Sequence, residues 1–168
     1  MKLMRFVLAF VLLAGVASTA TAQPTIFLVR HAERADAGMS GAGTMATDPD
    51  LSDAGHARAE SLARMLKDAG VVAIYTTEFK RTQQTAAPLA KALGLDAITI
   101  PANTPTTLLE ALKSARGNVV VVGHSNTVPD LLRGLGVTPV VKIDDNEFDN
   151  LFVVTMGAKP TMVRLRFQ

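Results

Sequence analysis

The run Asn118–Val122, NVVVV, places the tightest constraint on how this 168-residue chain folds. Four consecutive valines leave no polar face, so the segment suits a strand covered on both sides by helices. Two more apolar runs of strand length precede it, Thr25–Val29 (TIFLV) and Val71–Tyr75 (VVAIY), and Ala97–Ile100 reads as a short third strand. Between them the apolar period changes to that of a helix. Ser52 can cap a first helix carrying Leu62, Met65, Leu66 and Ala69 and ending at Gly70. Arg81 opens a second, with Thr82, Thr85, Ala86, Leu89 and Leu93 at helical spacing and a kink expected at Pro88. Thr107–Ala115 is a third. Asn126 or Thr127 caps a fourth, bearing Val128, Leu131, Leu132 and Leu135. Leu151–Thr155 and Met162–Phe167 close the chain as a hairpin around Gly157–Pro160. The alternation predicts one α/β, three-layer domain: a mostly parallel sheet with helices on both faces and an antiparallel C-terminal strand. No internal repeat and no second domain is visible.

The first 22 residues stand apart. Lys2 and Arg5 precede the apolar run Phe6–Val16, and Ala20 and Ala22 form an A-x-A site before Gln23. That is the pattern of a cleaved secretory signal, and the run is shorter than the roughly 20 residues needed to span a bilayer. The expected division is 1–22 signal peptide and 23–168 one folded domain, placing the mature product in the periplasm or outside the cell. Of 17 basic and 15 acidic residues, the signal holds two bases and no acid, so the mature part is formally neutral. Neutrality offers no general attraction for nucleic acid or an anionic membrane, and neither is expected as a partner. Cysteine is absent, which excludes a thiol nucleophile, a thiolate metal site and disulfides. Oligomeric state is not legible.

Four polar residues follow the strands directly. Arg30 and His31 follow TIFLV, His124 follows NVVVVG, and Arg81 stands just after VVAIYTT. In open parallel sheets ligands bind beyond the carboxyl ends of the strands, so this order brings two arginines and two histidines to one edge. Helix N-termini after Arg81 and His124 add N–H donors there. Such a cluster selects a dianion, and phosphate is the natural candidate. Guanidinium groups bind phosphoryl oxygens in pairs. A neutral imidazole can attack phosphorus, and nearby arginines favour the neutral form by lowering its pKa. The resulting phosphohistidine is then hydrolysed by water. No cofactor or metal is required if arginine supplies the positive charge.

Arg30-His31-Ala32-Glu33, LSDAGHARA (51–59), TTEFKRTQQTA (76–86) and VVVVGHSNTV (119–128) together resemble the histidine phosphatase, or phosphoglycerate mutase-like, superfamily, branch 1. The resemblance runs from about Thr25 to Thr155 with all landmarks in order. It implies that His31 is the phosphorylated nucleophile and that Arg30, Arg81 and His124 complete the phosphate pocket. Ala32 replaces the commoner glycine, as in small bacterial phosphohistidine phosphatases. Ser125 stands where the acid phosphatase and phytase branch has an aspartate proton donor. The mutase branch has a glutamate donor between the second arginine and second histidine, and Glu110 is the candidate for it here. Phosphoramidates need less help from a placed acid, so a site without a donor narrows the substrates.

The expected activity is therefore phosphohydrolysis of a small phosphorylated substrate or a phosphoprotein. A phosphate-binding module without turnover is the alternative, although a binder has no need of a nucleophile. A phosphomutase fits less well, because few residues remain to cover a retained phosphoenzyme. Other polar groups have plainer readings. His56 faces solvent on the first helix, Glu33 stabilises the loop or pairs with Arg34, and Glu78 is a solvated turn residue close to Arg81. Asp144, Asp145, Glu147 and Asp149 lack the glycine and terminal glutamate of a calcium loop and form an exposed loop. The segment 35–50, rich in Gly, Asp and Thr, reads as a long loop whose Gly-rich part 38–43 forms a rim or lid.

Overall fold

The computed structural model describes residues 23–36 and 48–168. The expected signal peptide and the expected 38–43 rim lie outside the described residues. The elements are β1 (Thr25–Arg30), α1 (Asp53–Leu66), β2 (Val71–Thr76), α2 (Lys80–Leu93), β3 (Ile98–Thr99), α3 (Pro105–Lys113), β4 (Asn118–Gly123), α4 (Thr127–Gly134), β5 (Asn150–Thr155) and β6 (Thr161–Arg166). They form one six-stranded sheet in the order β3-β2-β4-β1-β5-β6. β1, β4, β2 and β3 run parallel, while β5 pairs antiparallel with both β1 and β6. The predicted α/β class is therefore realised, with two antiparallel strands at one side of the sheet.

Alternation along the strands builds two cores. Ile26, Leu28, Val119 and Val121 face one side, where Leu112 of α3 and Val128, Leu131 and Leu132 of α4 cover them. Val29, Val120 and Val122 face the other, against Leu62 and Leu66 of α1 and Ala86 and Leu89 of α2. The valine run is buried throughout because helices lie on both faces.

Three details differ from the sequence reading. α1 starts as expected, with the Ser52 hydroxyl accepting from the Gly55 N–H at 3.1 Å. It ends at Leu66, however, and Met65 is 44% exposed. The buried stripe runs through Gly55, Ala59, Leu62, Ala63 and Leu66, and at 100° per residue position 65 falls at its edge. α2 begins at Lys80 and continues through Pro88. Neither expected residue caps α4 by a side chain: Asn126 makes no capping bond, and the Thr127 hydroxyl instead accepts from the His124 N–H at 2.8 Å.

Candidate active site

The register of the sheet builds the site. β1 and β4 pair up to Arg30↔Gly123, so His31 and His124 emerge side by side, and the His31 N–H donates to the Gly123 carbonyl at 2.9 Å. The two imidazole centroids lie 5.4 Å apart in an edge-to-face arrangement. β2 ends beside β4 at Thr76, which brings Thr77 and the start of α2, with Arg81, to the same edge. β5 pairs antiparallel with β1, so the segment leading into it, 144–149, returns beside Arg30. All four residues that the sequence places at one sheet edge are brought together.

Each ring has one nitrogen tied to the protein. His31 Nδ1 lies 2.8 Å from the Ala32 carbonyl oxygen. A carbonyl only accepts, so Nδ1 carries the hydrogen and Nε2 keeps the lone pair. His124 Nε2 is 3.1 Å from the Thr77 hydroxyl. Burial pushes the His31 pKa down to about 3; the bond to Ala32 opposes this, and His124, Arg30 and Arg81 add to it. Burial likewise pushes His124 down to about 4, followed by the Arg81 charge, with Glu78 pulling the other way. Both rings are therefore neutral at ordinary pH.

The arginines are braced by phenylalanines. Arg30 stacks on Phe148 with its guanidinium carbon 4.1 Å from the ring centroid, and Arg81 on Phe79 at 4.2 Å. Phe148 also borders His31, at 6.1 Å between centroids, and Phe79 borders His124 at 5.4 Å. One terminal nitrogen of Arg30 donates to the carbonyls of Asp144, Asp145 and Glu147 at 2.9, 3.0 and 3.2 Å. Nε of Arg30 and Nε of Arg81 are buried with no hydrogen-bond partner among the described residues. An unpaired buried donor costs about 1–3 kcal/mol, and two of them beside paired imidazoles suit an anion. Asp48 approaches Arg81 at 3.6 Å and accepts from the Lys80 N–H at 3.0 Å, capping α2 from across the site.

Glu110 is not brought to this edge. α3 turns Leu108 and Leu112 to the core, which leaves residue 110 exposed between them, and it is not among the leading charges that shift the two histidines or the two arginines. Glu33 pairs with Arg58 at 2.7 Å rather than with Arg34, whose partner is Asp36. Arg34 nevertheless acts electrostatically on both Arg30 and Arg81, a third guanidinium near the site that sequence reasoning passed over. Its position three residues after His31 was the available signal. Phe79 and Phe148 were also missed. His56 is exposed on α1, and Glu78 is an exposed turn residue whose carboxylate accepts from the Ala102 N–H at 2.8 Å. Of the 144–149 carboxylates, Asp144 is bound by Lys142, Glu147 by Arg164 and Arg166, and Asp149 by Arg166. No group of three or more His, Cys, Asp or Glu among the described residues is arranged to hold a metal.

Residues 26–102 match the sequence profile of the histidine phosphatase superfamily, branch 1. Over that stretch, which is less than half of its length, the chain is similar to members of this superfamily. No curated protein sequence matches it significantly. Solved histidine phosphatase-like structures share its fold. A mycobacterial glucosyl-3-phosphoglycerate phosphatase in complex with VO3 superposes with a TM-score of 0.68 at 14% identity, covering 86% of this chain and 100% of its own. The alpha-ribazole phosphatase from Shigella flexneri gives 0.67 at 16% identity, with 84% and 96% covered. The protein histidine phosphatase SixA complexed with tungstate gives 0.63 at 16% identity, again with 84% and 96% covered. Among the described residues no helix is long and apolar enough to cross a membrane.

Proposed function

We propose that this chain is an exported phosphohydrolase that forms a phosphohistidine on His31 and works without a metal. The observation that carries the reading is the Ala32 carbonyl on His31 Nδ1, which leaves Nε2 as a lone pair in the field of buried Arg30 and half-buried Arg81. In this reading Nε2 attacks phosphorus while Arg30, Arg81 and His124 hold the equatorial oxygens, and water then releases phosphate. Arginine charge takes the part that a cation plays in metal-dependent phosphatases. The substrate is a phosphoric monoester or a phosphoramidate, small or protein-borne, in keeping with the named activities of the similar structures. The N-terminal signal pattern supports action in the periplasm or outside the cell.

The test is a quench after mixing residues 23–168 with a ³²P-labelled phosphodonor such as acetyl phosphate. Acid-labile, base-stable label is expected on the protein and absent from His31→Ala, and turnover is expected to persist in excess chelator. Turnover without any trapped label, or loss of turnover to chelator with recovery on adding metal, would overturn the mechanism. Tight phosphate binding with neither label nor turnover would favour a binding module.

A further inference from the structure

Phosphoryl transfer to His31 leaves a proton to be supplied to the departing group and later removed from water, and the carboxylates around the site are poorly placed for it. Glu33 is held by Arg58, and Asp36 by Arg34. Asp48 accepts from the Lys80 N–H and Glu78 from the Ala102 N–H. Although burial raises Glu33, the Arg58 hydrogen bond leaves it below the usual carboxylate range, and the Arg34 hydrogen bond lowers Asp36 likewise. The Asp48 and Glu78 carboxylates are taken up by backbone N–H groups. Residues 37–47 contain no titratable side chain. Asp145 acts on Arg30 but is not among the leading charges that shift either histidine, and the second imidazole lies closest to the first.

We propose that His124 is the proton carrier, held with its hydrogen on Nε2 by the Thr77–Thr82 hydroxyl pair so that the Nδ1 lone pair faces the phosphoryl group. The inference rests on the phosphatase reading above, and its argument is an accounting of hydrogens. The Thr82 hydroxyl has one hydrogen and lies 2.8 Å from the Phe79 carbonyl and 3.1 Å from the Thr77 carbonyl, both of which can only accept. Its hydrogen therefore points at backbone, and its oxygen accepts from the Thr77 N–H at 3.2 Å. The same oxygen lies 3.0 Å from the Thr77 hydroxyl. If Thr77 gave its hydrogen to His124, the two hydroxyl oxygens would face each other with none between them. Thr77 donates to Thr82, and so accepts from His124 Nε2–H at 3.1 Å. With Nε2 engaged, Nδ1 is the ring nitrogen without a hydrogen-bond partner among the described residues.

The groups that face this ring are Arg81, Arg30, Glu78 and His31. Burial and Arg81 keep it neutral, with its pKa pushed down to about 4, so the lone pair is available; a phosphoryl dianion alongside favours the cation. A monoester arriving as the monoanion passes its proton to Nδ1. His31 Nε2 then bonds to phosphorus as the ester P–O bond breaks, and Nδ1–H protonates the departing oxygen. In the second step water bonds to phosphorus, the N–P bond breaks, and the water proton goes to Nδ1. The Thr77 and Thr82 hydroxyls keep one orientation throughout, because Nε2–H donates to Thr77 whether the ring is neutral or charged. Thr77 and Thr82 are positioning residues and His124 a catalytic one.

The test reads the tautomer directly, by ¹⁵N NMR of histidine-labelled protein at pH 7, with His124 assigned by its loss in His124→Gln. A hydrogen on Nε2 and a pyridine-type Nδ1 are expected. Thr77→Val, nearly isosteric, is expected to scramble that tautomer. It should also slow hydrolysis of an alkyl phosphate about ten-fold more than that of p-nitrophenyl phosphate, whose leaving group needs little protonation. Thr77→Ser should restore both. A hydrogen found on Nδ1 of the unaltered protein, or equal slowing of the two esters by Thr77→Val, overturns the proposal. Failure of the phosphatase reading looks different, since the unaltered protein would then hydrolyse neither ester.

Discussion

At the scale of single residues, the site is a set of charged and basic groups held almost dry. Arg81 is 13% exposed, stacked on Phe79, with a buried Nε that has no partner among the described residues. Replacing it by alanine removes a preorganised oxyanion donor, and turnover is expected to fall by about 10²–10³. Steady-state kinetics on a phosphomonoester decide this, and a rate within a few-fold of the unaltered protein would remove Arg81 from the reaction. The histidines link the site to stability. Their folded pKa values, about 3 and about 4, lie below the ordinary 6.5, so the unfolded chain binds protons first as pH falls. Their contribution is full above about pH 6.5 and is lost as pH falls toward 4 and then 3. The melting temperature is expected to be lower at pH 5 than at pH 7, and this difference should shrink in the His31→Gln/His124→Gln double variant.

At the scale of elements, the close seating of α1 matters most. A Cβ on Gly55 would stand 2.2 Å from the Glu33 carbonyl oxygen, the same oxygen that accepts from the Ser52 N–H. The first turn of α1 thus lies directly against the chain leaving His31, and only glycine fits there. Gly55→Ala is expected to cost about 1–3 kcal/mol by overpacking, lowering the melting point by several degrees. An unchanged melting curve would show that the helix can back away freely. This contact was not legible in the sequence, where Gly55 reads only as part of a recurring motif. The strand runs and His31, His124 and Arg81 were legible because periodicity and strand ends are local properties. Phe79 and Phe148 were not, since each becomes significant only through an arginine brought to it by the fold. Nor was the capping of α2 by Asp48, 32 residues earlier. Met65 misled because a short apolar list fits several helix faces equally well.

At the scale of the whole molecule, two cores share one sheet and meet only through it. Leu62 belongs to one and Leu132 to the other, and both are fully buried. Each leucine-to-alanine change is expected to cost about 2–5 kcal/mol. With the sheet between them, the double variant should lose the sum to within about 0.5 kcal/mol. Urea unfolding measures this, and a large coupling would mean that the sheet transmits strain between its faces.

Arg30 sits where these scales meet. Its one nitrogen gathers three carbonyls from a segment more than a hundred positions away, while the rest of the same group stays among the imidazoles. Lysine could keep the charge but has no flat fork to bind the carbonyls and stack on Phe148 together. Divergence in what such a site accepts must therefore arise at its margins, because altering this anchor would detach a wall of the site and blunt its chemistry in one stroke.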